Sequence, residues 1–299
     1  MNELFAAEPS ACRTASELRE LINKFGPASG RYLALCPDTW RVLVAKAFAS
    51  ATQLEQIRIG ELLLKAKRDR VTVSDPALPY DNAKTWVENI LPLLAPPLGK
   101  PLDGIVVSAP IAETLGCFTL DSLDLSPTAE EQMPVTPADF VRVSRALLRS
   151  SPEICFIDPY CRPYRTDTRP VLRSMLQEIA LSKCVRVVLY AQEKIVIGNS
   201  GMTVSDVQSD LQLLRKEASL PPKCELELRL LDDDGCRVRM HARYLLSVRG
   251  GIRFDRGFQT PSGIKRMDVV PLSPATHRQL MLDYVSGDHD MKLCYTVKG

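Results

Sequence analysis

The chain has 299 residues, 38 basic against 36 acidic for a formal net charge of +2, and is 45% hydrophobic and 25% charged. That length suits one large domain or two ordinary ones, and the near balance of charge means that any basic surface must be local. No run approaches the roughly 20 apolar residues of a membrane span, and the first 25 residues lack a secretory h-region, so a cytoplasmic location is expected.

In chain order, the periodicity predicts helices over 15–25, 38–51 and 53–70, with no convincing strand among them. Asp75-Pro-Ala-Leu-Pro79 reads as a linker, because proline removes a donor and biases its predecessor away from helix. A boundary at 75 divides a helical region, 1–75, from an α/β domain, 76–299. Within the second part the pattern predicts a helix over 82–94, a buried strand over 104–108 and an acidic loop over 119–134 containing Asp121, Asp124, Glu130 and Glu131. Thr136-Pro137-Ala138-Asp139 then supplies an N-cap, a first-turn proline and a carboxylate at the positive end of a helix reaching 149. Strands follow over 154–157, 185–190, 225–231, 266–270 and 291–297, with helices over 170–181, 205–218 and 274–285. Strands separated by helices imply a mixed or largely parallel sheet covered on both faces, with antiparallel strands added near the C-terminus.

The nine cysteines form no CxxC pair, and the three histidines, His241, His277 and His289, have no HxxxH spacing. Reduced, mostly buried thiols are expected, with no metal and no cofactor. His277 and His289 read as surface residues, and Trp40 and Trp86 as core. The absence of a GxxxxGK loop gives no support for ATP hydrolysis.

The most informative run is 236–249. Arg237, Arg239, His241 and Arg243 occupy alternate positions, with Val238, Met240, Ala242, Tyr244, Leu246 and Val248 between them. On a strand that places three guanidiniums and an imidazole on one face, a seat for an anion. Gly250-Gly251 suits a tight turn, and Arg253 and Asp255 alternate with Ile252 and Phe254 on a return strand before Arg256. From 237 to 256 there are six arginines and one aspartate. Arginine rather than lysine favours bidentate recognition of phosphate or carboxylate. The plainer alternative is a solvated face whose arginines pair with Asp232, Asp233, Asp234 or the acidic loop. For His241 to act as a nucleophile a carboxylate must hold its ring, and Asp255 and Asp158 are the candidates.

Asp158-Pro159-Tyr160 ends the strand over 154–157, where ligands bind in open α/β sheets; an Asx-type cap is the other reading. The loop that follows interleaves Arg162, Arg165 and Arg169 with Tyr160 and Tyr164, which suits either phosphates and stacked bases or plain solvation. The basic end of helix 53–70 reads as a complement to the helix dipole.

Ile157-Asp-Pro-Tyr160, the helix and strand after it, His241-Ala-Arg-Tyr-Leu-Leu-Ser247 and Gly250-Gly-Ile-Arg-Phe-Asp-Arg-Gly-Phe258 together resemble a divergent branch of the phospholipase D-like superfamily. That branch includes the C-terminal domain of MIT-domain cytokinesis proteins and bacterial relatives linked to mobile-element conflict. The similarity covers roughly residues 80–299. It implies a mixed α/β sheet flanked by helices. Active members carry HxK, four residues, then Asp; here His241 matches the histidine, Arg243 stands at the lysine and Val248 at the aspartate. The resemblance thus implies a degenerate site that binds rather than cuts, or a homodimer that brings two copies of His241 together.

The expected function is non-catalytic binding of a phosphate-bearing ligand, nucleic acid in a bacterial antiviral-defence or mobile-element system. Arg237, Arg239, Arg243, Arg253 and Arg256 would grip phosphate, His241 would donate a hydrogen bond, and Asp158, Tyr160 and Asp255 would support them. The alternatives are a metal-independent phosphodiesterase or nuclease using His241 with Arg243, and a protein-interaction subunit of a larger complex.

Overall fold

The computed structural model describes residues 3–27, 29–75, 78–94, 101–111, 114–123, 130–260, 262–263 and 265–299. The chain divides into two compact units, residues 2–128 and 129–299. Position 75, read above as the boundary, lies inside the first, and residues 76–77 of the supposed linker are outside the described residues.

The first unit is built on a parallel sheet. Its elements are β1 (Glu3–Ala7), α1 (Ala15–Asn23), β2 (Arg31–Ala34), α2 (Trp40–Ala47), α3 (Gln53–Arg68), β3 (Thr72–Val73), α4 (Trp86–Ile90) with a 3-10 turn (Leu91–Leu94), β4 (Gly104–Val106) and β5 (Cys117–Phe118). The strand order is β3-β2-β1-β4-β5, and every pairing is parallel. The direction of strand addition reverses beside β1, so right-handed crossovers put α1 and α4 on opposite faces, as in Rossmann-like sheets. Phe5, Ala7, Leu33, Leu35 and Val106 share one core with Leu18, Leu21, Ile22, Trp40, Ile59 and Leu63. Leu4, Ala6, Tyr32 and Ile105 alternate with the first set and are buried as well. Strands buried on both faces lose the period-two signal. The N-terminal region is therefore not purely helical: its three helices occur close to the expected places, but they cover strands of two to five residues. The helix expected over 82–94 starts late, because Thr85 forms a capping box with Glu88.

The second unit matches its expected class, a mixed sheet flanked by helices. It contains β6 (Glu131–Pro134), α5 (Pro137–Ser150), β7 (Glu153–Ile157), α6 (Arg169–Ala180), β8 (Arg186–Gln192), a π-turn (Lys194–Gly198), α7 (Val204–Glu217), β9 (Glu225–Asp232), β10 (Arg243–Ser247), β11 (Gly250–Phe254), β12 (Arg266–Pro271), α8 (Pro274–Leu280), a second π-turn (Met281–Val285) and β13 (Lys292–Lys298). The order is β13-β9-β8-β7-β10-β11-β12-β6. β7, β8 and β9 run parallel, and every other neighbour is antiparallel. The acidic loop over 119–134 contains β6, and its Asp124 lies outside the described residues. Thr136 caps α5, accepting from the Asp139 amide at 3.2 Å.

One face of this sheet packs through four fully buried phenylalanines. Phe254 lies 5.3 Å from Phe140 of α5 and 5.2 Å from Phe258, and Phe156 meets Phe258 edge-on at 5.1 Å. The opposite face carries Cys155, Ile157, Val188, Tyr190, Met240, Leu246, Tyr284 and Met291. Among the described residues no helix is long and apolar enough to cross a membrane.

Trp40 and Trp86, the chain's two tryptophans, are both core residues of the first unit. Phe254→Ala is expected to cost the second unit about 4 kcal/mol through the cavity it leaves. A urea titration followed by far-UV circular dichroism would show a transition moved to lower denaturant.

Candidate functional site

The basic run begins as a loop. Residues 236–242 form no ladder, and β10 starts only at Arg243. Two carboxylates hold the segment: Asp290 accepts from the amides of Arg237 (2.7 Å) and Val238 (3.2 Å), and Asp233 from that of Met240 (2.9 Å). Met240 is buried while Arg237, Arg239 and His241 are exposed. The alternation of apolar and polar positions thus reports burial correctly, but the hydrogen bonds go to side chains instead of a neighbouring strand. The anticipated glycine turn shifts too: Val248 and Arg249 make it, and Gly250 and Gly251 open β11. Gly251 is required by packing, since a Cβ there would lie 2.6 Å from Leu272 Cδ1 and 3.1 Å from Leu245 O.

The arginines separate. Arg237 lies in the field of Asp290 and Arg239 in that of Asp234. Arg253 is opposite Tyr244, whereas Arg243 is opposite Phe254, so Arg243 and Arg253 project from opposite faces of the hairpin. Arg256 is exposed beside Asp255 at 3.8 Å. Arg249 caps α5, its Nε donating to Ser150 O at 2.8 Å. The strand expected to align Arg237, Arg239, His241 and Arg243 on one face is not formed, since residues 236–242 have no ladder partner among the described residues.

What does converge is Asp158 with Arg243, Tyr160 and Arg162. Asp158 follows β7 and is almost fully buried. Its Oδ1 accepts from the Tyr160 amide at 2.9 Å, an Asx-type turn, and its Oδ2 accepts from the Phe258 amide at 3.0 Å, 100 residues away. Arg243 Nε lies 3.9 Å from Oδ1, Nη1 donates to Asp255 O at 3.1 Å, and Cζ sits 5.1 Å from the centroid of the Tyr160 ring. Arg162 adds a second positive field at Asp158. The Nε atoms of Arg162 and Arg243 are buried without a hydrogen-bond partner among the described residues. Burial pushes the Asp158 carboxyl up; the amides of Phe258 and Tyr160 and then the two guanidiniums oppose that shift.

Gly257 makes this junction possible. It has φ +78°, and a Cβ there would fall 3.0 Å from Asp158 Cγ and 3.1 Å from Arg243 Cγ. His241 is exposed, and no carboxylate lies within ion-pair distance of it among the described residues, so neither Asp158 nor Asp255 orients its ring. Of the 161–169 loop, Arg165 pairs with Asp167, and Arg169 with Glu217 and Asp210. Arg162 is the residue whose role the sequence leaves hidden, since nothing in Cys-Arg-Pro separates it from those two neighbours. His277, read as a surface residue, contacts Ser247 O through Nε2 at 2.7 Å.

Asp232, Asp233 and Asp234 bring carboxylates within 4.8 Å of one another. Asp233 is occupied by Gln192 Nε2 and the Met240 amide, and Asp234 by Lys194 Nζ at 2.7 Å. In the first unit the ends of β1 and β4 are joined by the protein itself, the Ser108 amide donating to Glu8 Oε2 at 2.7 Å. No glycine-rich phosphate loop follows β1: residues 8–13 are Glu-Pro-Ser-Ala-Cys-Arg.

No protein-family model matches the chain, and no curated protein does. Among solved structures, the archaeal chromatin protein TrmBL2, described as showing a novel mode of DNA binding, is similar over 83% of this chain and 71% of its own, at 10% identity and a TM-score of 0.28. A likeness that low carries no argument about fold or function.

Asp158→Ala strands two amides and the charge of Arg243, and is expected to cost about 3 kcal/mol. Gly257→Ala should destabilise as well, by forcing a non-glycine residue into the left-handed region against the carboxylate. Because the folded state keeps the Asp158 proton after the unfolded chain has released it, wild-type stability should fall as pH rises through the elevated pKa. Asp158→Asn should flatten that part of the profile, read by chemical denaturation across the acidic range.

Proposed function

We propose that the 129–299 unit binds a phosphate-bearing ligand at the carboxyl end of β7, gripped by Arg162 and Arg243. The observation that carries this reading is that two guanidiniums face one carboxylate already occupied by two backbone amides, and each keeps a buried Nε without a hydrogen-bond partner. Buried Nε atoms without a partner also occur at Arg186 and Arg229, but their other nitrogens bond Glu153 and Glu227, whereas Arg162 and Arg243 hydrogen-bond to no carboxylate among the described residues, so this pair marks a place where an acceptor belongs. Phosphate oxygens fit arginine forks, and Tyr160, nearly half exposed and already beneath the Arg243 guanidinium, offers a ring for a base.

Nucleic acid is the ligand class we favour. The exposed Arg237, Arg239, Arg253 and Arg256 then act as a diffuse attractive field around the two gripping residues, and His241 as a rim donor. The phospholipase D-like resemblance rests on the sequence motifs, and a bacterial defence or mobile-element setting rests on that resemblance alone. Because no carboxylate among the described residues holds the His241 ring, binding is favoured over phosphodiester hydrolysis.

Fluorescence anisotropy with labelled single-stranded and duplex DNA and RNA, in excess chelator, tests the proposal. Arg162→Ala and Arg243→Ala should each weaken binding at least about tenfold and reduce the log-log salt slope on duplex DNA by about 0.9. Intact substrate at the end of the incubation supports a binding module. Cleavage abolished by His241→Ala would establish the phosphodiesterase instead, and binding unaffected by either arginine substitution would overturn the site.

A further inference from the structure

Helix α3 of the first unit has a second face that its own fold leaves uncovered. Ile59, Leu62, Leu63 and Ala66 are buried in the core, whereas Leu54, Ile57 and Leu64 are 59%, 54% and 69% exposed. Ile57 and Leu64 are two turns apart on one stripe, and Gly60, three residues after one and four before the other, lies between them. A Cβ at Gly60 would meet nothing within 4 Å, so the chain's own packing does not demand glycine there. Glycine is also a poor residue for the middle of a helix. The stripe therefore reads as two apolar knobs on either side of a notch where another backbone can approach closely.

Beside this face lies an open cavity of about 780 Å³, with Leu62 and Leu64 among its lining. Its charged lining consists of Arg19 of α1 with Arg58, Lys65, Lys67 and Arg68 of α3, against Glu61 alone. Lys65 and Arg68 share Asp69 at 2.8 and 3.2 Å. Arg19, Arg58 and Lys67 form no ion pair among the described residues.

We infer that α3 is the docking face for an acidic amphipathic helix of a partner protein, its apolar stripe laid over Ile57, Gly60 and Leu64 and its carboxylates against Arg19, Arg58 and Lys67. Two features select this occupant. A second copy of the chain would set the same cations against each other, and nucleic acid would use the cations but leave the stripe and the notch without a role. The inference is independent of the phosphate site.

The test uses the full-length chain and a fluorescein-labelled helical peptide of about 20 residues, with leucines at i, i+3, i+4 and i+7 flanked by glutamates, and a counterpart with lysine for each glutamate. The acidic peptide should bind at least about tenfold more tightly than the basic one. Leu64→Glu and Gly60→Leu should each weaken it by a similar factor, while Gly60→Leu keeps or raises the unfolding midpoint, which separates loss of docking from loss of folding. Equal binding of the two peptides, or acidic-peptide binding indifferent to Gly60→Leu, would overturn the inference. So would a concentration-dependent dimer in sedimentation velocity abolished by Leu64→Glu, or loss of binding to duplex DNA or anionic vesicles in these variants in place of peptide binding.

Discussion

The carboxylate of Asp158 links three segments of the second unit that are remote in sequence. It terminates β7 by folding back on the Tyr160 amide, anchors the chain after β11 through the Phe258 amide, and holds Arg243 at the start of β10 within ion-pair range. Burying a carboxylate is costly, and hydrogen bonds from two amides with two nearby guanidiniums offset that cost. Each amide takes one oxygen, and the Arg243 Nε stands 3.9 Å from Oδ1, an ion-pair distance too long for a hydrogen bond. Arg243 is therefore attracted to the carboxylate without hydrogen-bonding to it, while its Nη1 donates to Asp255 O, and this is the basis of the anion site proposed above.

Position and packing reinforce this arrangement. Phe258, whose amide Asp158 fixes, presents its ring to Phe156 and Phe254 in the core. The segment that closes over the carboxylate is thus held from below by aromatic packing and from above by the hydrogen bond. Gly257 between Asp255 and Phe258 lets the backbone approach the carboxylate closely enough for that bond. Strand ends held in this way would need little rearrangement at the proposed site, which is why recognition is the reading we favour there.

The second unit was largely legible in the sequence because its helices are amphipathic and well capped, as with Thr136 before α5 and Thr203 before α7. Its sheet class follows from strands alternating with such helices. The first unit was less so: β1 and β2 are short and buried on both faces, so Leu-Phe-Ala-Ala and Arg-Tyr-Leu-Ala carry no alternation to separate them from helix. At the site, the sequence marks Asp158, Tyr160 and Arg243 individually through strand ends and spacing. It does not reveal that Arg237 and Met240 hydrogen-bond through their amides to Asp290 and Asp233, because those partners lie 53 and 7 residues away and leave no periodic trace.

The fate of the arginines shows why a local count of charge overstates a site. Arg249 serves a helix end, Arg169 is held by Glu217 and Asp210, and Arg237 and Arg239 lie beside Asp290 and Asp234. Asp234 follows β9 and Asp290 precedes β13, so the surplus in the 237–256 run is partly cancelled only after the chain has folded. Arg162 gains importance by the same logic: of three arginines in its loop, it alone has no carboxylate that hydrogen-bonds it among the described residues. The proposed site thus rests on which guanidiniums the fold leaves without a hydrogen-bonded carboxylate among the described residues, and two of them act on Asp158 at the carboxyl end of β7, the end of an open α/β sheet where ligands bind.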